Sequence, residues 1–335
     1  MSKNEKPEVV VVTGASGGVG RAVVREFAKR GAHVGLLARG AEGLEGAKRD
    51  VERLGGEAVA IPTDVSQYGA VSDAAAEVER RFGPIDVWVN DAMVSIYGPF
   101  MDVTPKEFEH ITAVTYLGQV WGTRVALERM VPRDRGHIVQ IGSALAKRSI
   151  PLQSAYCGAK HAIAGFTESV RSELIHMKSN VVLTVVQLPG LNTPQFEWTR
   201  NKMGRKARPV GKIHQPEIAA RAIHWAAHTK RKEVWVGWPT VESILGERVA
   251  SSVLDHYLAR AAWDGSMRKE RTDPSAPDNF WKPVADDRGA HGPFDALATK
   301  FSTQVWLDEH RGLVALAGLG LAATAGALLA RHAWT

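Results

Sequence analysis

From residue 9 to residue 236 the chain alternates short, unbroken apolar runs with longer amphipathic stretches. The runs are VVVVT (9–13), HVGLLA (33–38), AVAIP (58–62), DVWVN (86–90), HIVQIGS (137–143), VVLTVVQL (181–188) and EVWV (233–236). Val-rich runs of this length predict strands buried on both faces, as a parallel sheet requires, and the stretches between them supply right-handed helical crossovers. The prediction is an α/β domain over residues 8–240, doubly wound around a seven-stranded parallel sheet. After Pro239 the pattern changes. Residues 241–263 read as an additional helix, and 264–311, with Pro274, Pro277, Pro283 and Pro293 among Asp, Gly and Arg, as an extended linker. Residues 312–330, GLVALAGLGLAATAGALLA, carry no charge and lie between Arg311 and Arg331. As a helix they reach about 28 Å, close to a bilayer's hydrocarbon thickness. This C-terminal helical extension, lacking a polar face, predicts a transmembrane anchor, with packing on a partner subunit as the alternative. Gly318, Ala322 and Gly326, at spacing four, would let two such helices approach closely.

Composition narrows the class. At 335 residues, 44% hydrophobic and 23% charged, the chain is an ordinary globular protein. Its single cysteine, Cys157, cannot form an internal disulfide, and no Cys/His metal cluster is available, which suits a reducing compartment. The net charge of +6 comes without a nucleic-acid motif, so no nucleic-acid partner is expected. MSKNEKPE lacks the features of a secretory signal, and the body is expected on the cytoplasmic side.

The first strand runs into TGASGGVG, Thr13 to Gly20, and then into an amphipathic helix. Glycines here permit a sharp turn that brings backbone N–H groups and a helix N-terminus against a pyrophosphate. Gly14, Gly18, Val19 and Gly20 are therefore candidate cofactor contacts. At the other end, Ser143 closes the strand HIVQIGS, thirteen positions before Tyr156-Cys-Gly-Ala-Lys160. Tyr156 and Lys160, at i and i+4, share a helix face. An ammonium near the phenol would draw its pKa down, so that Tyr156 could serve as general acid or base while Ser143 hydrogen-bonds the reacting oxygen. Cys157 points away from that face and reads as packing.

The TGxxxGxG spacing, the serine, the YxxxK pair and Pro189-Gly190 closing the sixth strand occur in one order, and over residues 8–240 the chain resembles the short-chain dehydrogenase/reductase family. The resemblance implies a Rossmann fold, a nicotinamide cofactor, and pairing of subunits through the helices carrying Thr115 and Tyr156. Ala38 stands where NAD-dependent members carry an acid, and Arg39 follows it, which implies NADP(H). It further implies that Ser16 touches the 2′-phosphate, that Asp64 and Val65 flank the adenine, and that Lys160 holds the ribose hydroxyls. Asn90, Ala92, Pro189, Gly190 and Thr193 complete the cofactor contacts.

Two departures stand out. NDAM, Asn90 to Met93, replaces the usual Asn-Asn-Ala-Gly, reshaping the pocket wall. Thr115 replaces the asparagine whose helix distortion holds a relay water, so the proton relay is expected to be altered. Residues 189–212 occupy the family's mobile substrate lid. Met93, Leu145, Phe196 and Trp198 are the candidate substrate contacts. The lid's cations, Arg200, Lys202, Arg205, Lys206, Arg208 and Lys212, suit either anionic headgroups or a solvated basic loop. The expected activity is interconversion of a carbonyl and an alcohol on a hydrophobic small molecule. The rival reading is a dinucleotide-binding sensor or scaffold whose chemistry has decayed.

Overall fold

The structure is a computed structural model that describes residues 6–273 and 275–312. Its first half runs β1 (Val9–Thr13), α1 (Gly18–Ala28), β2 (His33–Ala38), α2 (Ala41–Arg53), β3 (Glu57–Pro62), α3 (Tyr68–Phe82) and β4 (Val87–Asn90). There follow β5 (Ile96–Tyr97), α4 (Pro105–Ile111), a π-helical turn (Thr112–Leu117), α5 (Gly118–Met130), β6 (His137–Ile141), α6 (Ser154–His176) and β7 (Val182–Gln187). The remainder holds α7 (Gln195–Trp198), β8 (Arg200–Asn201), β9 (Arg205–Ala207), α8 (Pro216–Ala227), β10 (Glu233–Trp235), α9 (Trp238–Gly265), β11 (Met267–Arg271) and α10 (Thr303–Glu309).

Seven strands form the expected parallel sheet, in the order β10-β7-β6-β4-β1-β2-β3. β1 shows why its run has no polar position. Val10 and Val12 pack with Phe27 of α1 and Ile223 of α8, whereas Val9 and Val11 join Val71 and Val78 of α3 on the opposite face. Each such side chain contributes about 1.5–3 kcal/mol on burial, so a charge on either face of β1 would be strongly disfavoured. From β1 the chain moves out through β2 and β3, then returns past β1 to β4. The connections diverge there and open a crevice at the carboxyl ends of the strands.

The C-terminal part departs from the expected helix-and-tether plan. α9 extends to Gly265 with a break at Ala250 (φ −143°, ψ 44°). The stretch 264–311, expected as a linker, is folded against the domain. β11 pairs antiparallel with β9, Met267 opposite Ala207 and Arg271 opposite Arg205. Phe280 and Phe294 are buried, and Val305 of α10 joins the core under α8. Aromatic side chains spaced through a Pro-rich stretch have found apolar partners, and their burial outweighs the freedom of a tether. From residue 313 onward the apolar stretch 312–330 lies outside the described residues. Among the described residues, no helix is long and apolar enough to cross a membrane.

Candidate active site

Thr13 ends β1, and its Oγ1 accepts hydrogen bonds from the backbone N–H groups of Asp91 (3.0 Å) and Ala92 (3.1 Å), stitching the glycine turn to the end of β4. Gly14 has a φ of +73°, and a Cβ there would stand 2.9 Å from Ala92 Cα. At Gly20 a Cβ would lie 2.3 Å from the Gly14 carbonyl oxygen. Only glycine allows both approaches. They place the start of α1 beside an elongated cavity lined by Gly14, Ser16, Gly18 and Val19, by Asp64 and Val65 after β3, and by Ala92 and Thr193. A backbone-walled cradle at a helix N-terminus in the sheet crevice fits a dinucleotide pyrophosphate.

Arg39 also lines this cavity, yet its guanidinium is already engaged by the C-terminal segment. It donates to the carbonyls of Phe280 (3.1 Å), Trp281 (3.2 Å) and Asn279. Burial lowers the Arg39 pKa from its ordinary value, and the nearby Asp64 charge opposes that shift.

Several expected cofactor contacts take other places. Asn90 is fully buried, accepts from Trp88 Nε1 (2.8 Å) and donates to Gln140 Oε1 (2.9 Å) and Thr123 Oγ1 (3.2 Å). It ties β4 to β6 and α5 and does not line the cavity. Gly20 packs against Gly14 and Asp91 beneath the turn. Pro189 and Gly190 border the neighbouring cavity instead. Trp198, expected at the substrate, lines the nucleotide cavity, its ring 2.7 Å from where a Gly17 Cβ would stand.

The neighbouring cavity, about 420 Å³, gathers Ser143, Tyr156 and Lys160 with Met93, Leu145 and Phe196. Its outer wall comes from α9, through Leu254, Tyr257 and Leu258, which no motif had marked. The two cavities share Val19, Asp91, Met93, Thr193 and Gln195, so they meet above the glycine turn. Ser143 is held by its N–H donating to Gln187 Oε1 (2.8 Å), and its Oγ accepts from Leu145 N–H (3.1 Å).

Lys160 is 1% exposed; its ammonium donates to the Ile141 carbonyl (2.6 Å) and lies 5.6 Å from the centre of the Tyr156 ring. The i, i+4 spacing therefore does bring the pair together. The electrostatic outcome differs from expectation, because burial pushes the Tyr156 phenol above its ordinary pKa, with hydrogen bonding to Ser143 opposing. Desolvation outweighs that hydrogen bond. Asp91 explains part of this. Burial pushes its carboxyl up, while the Lys160 charge and the Gly20 N–H pull it down; burial likewise lowers Lys160, with Asp91 opposing. The Asp91 charge also raises Tyr156. Asp91 is thus an acid at the junction of the two cavities, signalled in the sequence only by its departure from the usual asparagine.

Thr115 sits within the π-helical turn, so the helix distortion is present. Its hydroxyl is closed on one residue, donating to Val94 O (2.8 Å) and accepting from Val94 N–H (3.1 Å). Fully buried and outside both cavity walls, Thr115 fixes the loop after β4 and does not face the reacting groups.

Three of the six cations expected in the lid, Arg200, Lys202 and Lys206, are paired with acids. Glu107 at the start of α4 accepts from Thr104 N–H (2.8 Å) and Lys202 Nζ (2.6 Å), and pairs with Arg200 Nε (3.1 Å). Burial alone would raise Glu107, but hydrogen bonds from Lys202 and Thr104 hold it below the ordinary carboxylate value. Lys206 and Arg268 both pair with Glu197. Arg205 and Lys212, by contrast, are exposed, so the loop is anchored in part and solvated in part.

Residues 8–204 match the family model for short chain dehydrogenase. The chain is 33% identical over 237 residues to an uncharacterized oxidoreductase, YxnA, of Bacillus subtilis (strain 168), spanning 70% of this chain and 67% of that protein. It is 34% identical to the dehydrogenase/reductase SDR family member 7B of Bos taurus, over 69% of this chain and 74% of the other. With the 3-ketodihydrosphingosine reductase of the same organism identity is 31%, over 64% and 66%. A solved metagenomic short-chain oxidoreductase in complex with NADP superposes with a TM-score of 0.59 at 29% identity, covering 69% of this chain and 97% of that one. Fold, glycine turn and family match agree, and the chain belongs to the short-chain dehydrogenase family of oxidoreductases.

Proposed function

We propose that the protein is an NADP(H)-dependent oxidoreductase that interconverts a carbonyl and an alcohol on a hydrophobic small molecule. The observation that carries this reading is the meeting of two cavities, one backbone-walled and glycine-lined, the other apolar and holding Ser143, Tyr156 and Lys160. The residues fit the cofactor: the turn from Gly14 to Gly20 would take the pyrophosphate, Ser16 and Arg39 the 2′-phosphate, Asp64 and Val65 the adenine, and Lys160 the ribose hydroxyls. The absence of an acid at Ala38 favours the phosphorylated form. NADP is also what the superposed metagenomic oxidoreductase binds. Bound, the cofactor supplies or accepts a hydride.

The chain's own residues do the rest. Ser143, fixed through Gln187, hydrogen-bonds the reacting oxygen and sets the carbonyl's orientation. Tyr156 delivers a proton to that oxygen when a ketone is reduced, for which a buried phenol that keeps its proton is suited, and withdraws it in the reverse direction. Lys160 places a buried positive charge beside the phenol and steadies the phenolate left behind. Leu145, Phe196, Leu254 and Leu258 exclude water and select an apolar body. A carbonyl reduction of this kind accords with the 3-ketodihydrosphingosine reductase among the relatives.

NADPH oxidation on a panel of apolar ketones and aldehydes tests the reading. Tyr156→Phe should lower kcat by about 10²–10⁴-fold while leaving NADPH binding intact. NADPH binding without turnover on any member would instead favour the sensor, and turnover unaffected by the substitution would remove Tyr156 from the mechanism.

A further inference from the structure

The segment after β11 lies beyond the residues that match the family model, yet it forms one side of the nucleotide cavity. Asn279, Pro283, Val284, Asp286 and Arg288 line the cavity together with the glycine turn and Arg39. The segment is pinned along its length. Phe280 is wholly buried, its carbonyl accepting from Arg39 and facing His110 Nε2 at 2.9 Å. Asp287 accepts from the buried Arg21 of α1 at 3.1 Å. The Gly289 carbonyl takes the N–H of Gly18, 3.0 Å away, within the glycine turn itself. Beyond it, Asn192 is fixed by donating to Asp295 (2.8 Å) and accepting from the N–H of Phe294 (2.9 Å).

A loop that only covered core would need the Phe280 plug. This one also bonds to two elements expected to bind the cofactor, Arg39 and the glycine turn, and turns five side chains into the space between them. We propose that residues 279–289 form a strap that closes the adenosine end of the cofactor site, so that NADP(H) enters and leaves only when the strap lifts. The inference rests on the NADP(H) reading above and adds to it a second wall and a gate. Two features make the segment suited to opening: its hold through Asp287 is partly exposed, with 29% of that side chain accessible, and Arg39 can exchange backbone carbonyls for a phosphate.

The test reads cofactor exchange in the full chain, not turnover. NADPH release is followed by fluorescence after chase with excess NADP⁺. Asp287→Ala unpins the strap and should speed release about five- to tenfold, the worth of one or two partly exposed charged contacts. In the opposite direction, a Cβ at Gly40 would stand 3.2 Å from Pro283 Cβ, close to disulfide reach. The pair Gly40→Cys and Pro283→Cys, oxidised with NADPH bound, should slow release at least about tenfold. Oxidised without cofactor, it should block binding, and a thiol reductant should restore both. Release that is unchanged in the Asp287 variant and in the cross-linked protein overturns the strap while leaving the cofactor reading intact. Failure of the unmodified chain to bind NADPH overturns both.

Discussion

Asp91 is the residue at which this chain's chemistry departs most from the motif it otherwise follows. An asparagine at the same place would be neutral at every pH; the carboxyl adds a titrating charge beside Lys160 and Tyr156, roofed by the Gly20 N–H. A negative Asp91 keeps the proton on Lys160 and disfavours the Tyr156 phenolate, so both groups titrate at higher pH with it than without it. Asp91→Asn should therefore move the pH dependence of alcohol oxidation, which needs the phenolate, about one pH unit downward. An unshifted profile would show that Asp91 is already protonated through the working range. At this scale the sequence was informative where chemistry fixes spacing. Ser143, Tyr156 and Lys160 converge because a strand end and one helix turn leave them little choice. It was uninformative where the partner is distant in the chain, since nothing in Asn90-Asp91 announces whether a side chain faces a cavity or, as Asn90 does, the inside of the sheet.

Elements are joined here by one buried cation. Arg21 of α1 is 2% exposed and donates to Asp50 of α2 (2.7 Å), to the Gly43 carbonyl (3.1 Å) and to Asp287 of the strap (3.1 Å). Burial would raise the Asp50 carboxyl, but hydrogen bonds from Arg21 and Arg25 hold it below its ordinary value. That depression means the pair stabilises the fold above the unfolded-state carboxyl pKa, about 4, and the contribution is lost as pH falls through the lower folded value. Asp50→Ala leaves Arg21 buried with only its weaker contacts, and should cost about 3–5 kcal/mol, read as a lowered midpoint in urea. A loss below about 1 kcal/mol would mean that Asp287 and the carbonyls suffice to hold the guanidinium. Helices and strands of the sheet domain were legible because each apolar run has a sharp polar boundary. The strap was not, because its prolines and charges resemble those of a solvated tether. Phe280, a large aromatic preceded by Asp278 and Asn279 and wholly buried in the fold, was the signal that it is seated on something.

Taken whole, the chain joins this body to the uncharged stretch 312–330. Among the described residues, those that line both cavities, the strap and α10 all precede residue 312. A chain ending at Arg311 therefore retains the described residues of the candidate site, and should bind NADPH and turn over soluble ketones at the rate of the full chain. Its partition should differ. An uncharged stretch of nineteen residues transfers favourably into hydrocarbon even when rich in Ala and Gly, because no charge has to be desolvated with it and its one polar side chain, Thr324, carries only a hydroxyl. In a cell fractionation the full chain should sediment with membranes and resist high salt, and the shortened chain should remain in the supernatant. Salt resistance separates insertion from attraction of the net charge of +6 to anionic headgroups, which a raised ionic strength would release. Equal recovery of both chains in the supernatant would rule out the anchor and favour the alternative in which this stretch packs on a partner subunit. That alternative makes its own mark: the shortened chain would then lose mass in sedimentation equilibrium, as the full chain's assembly came apart, with no change in its distribution between membrane and solution.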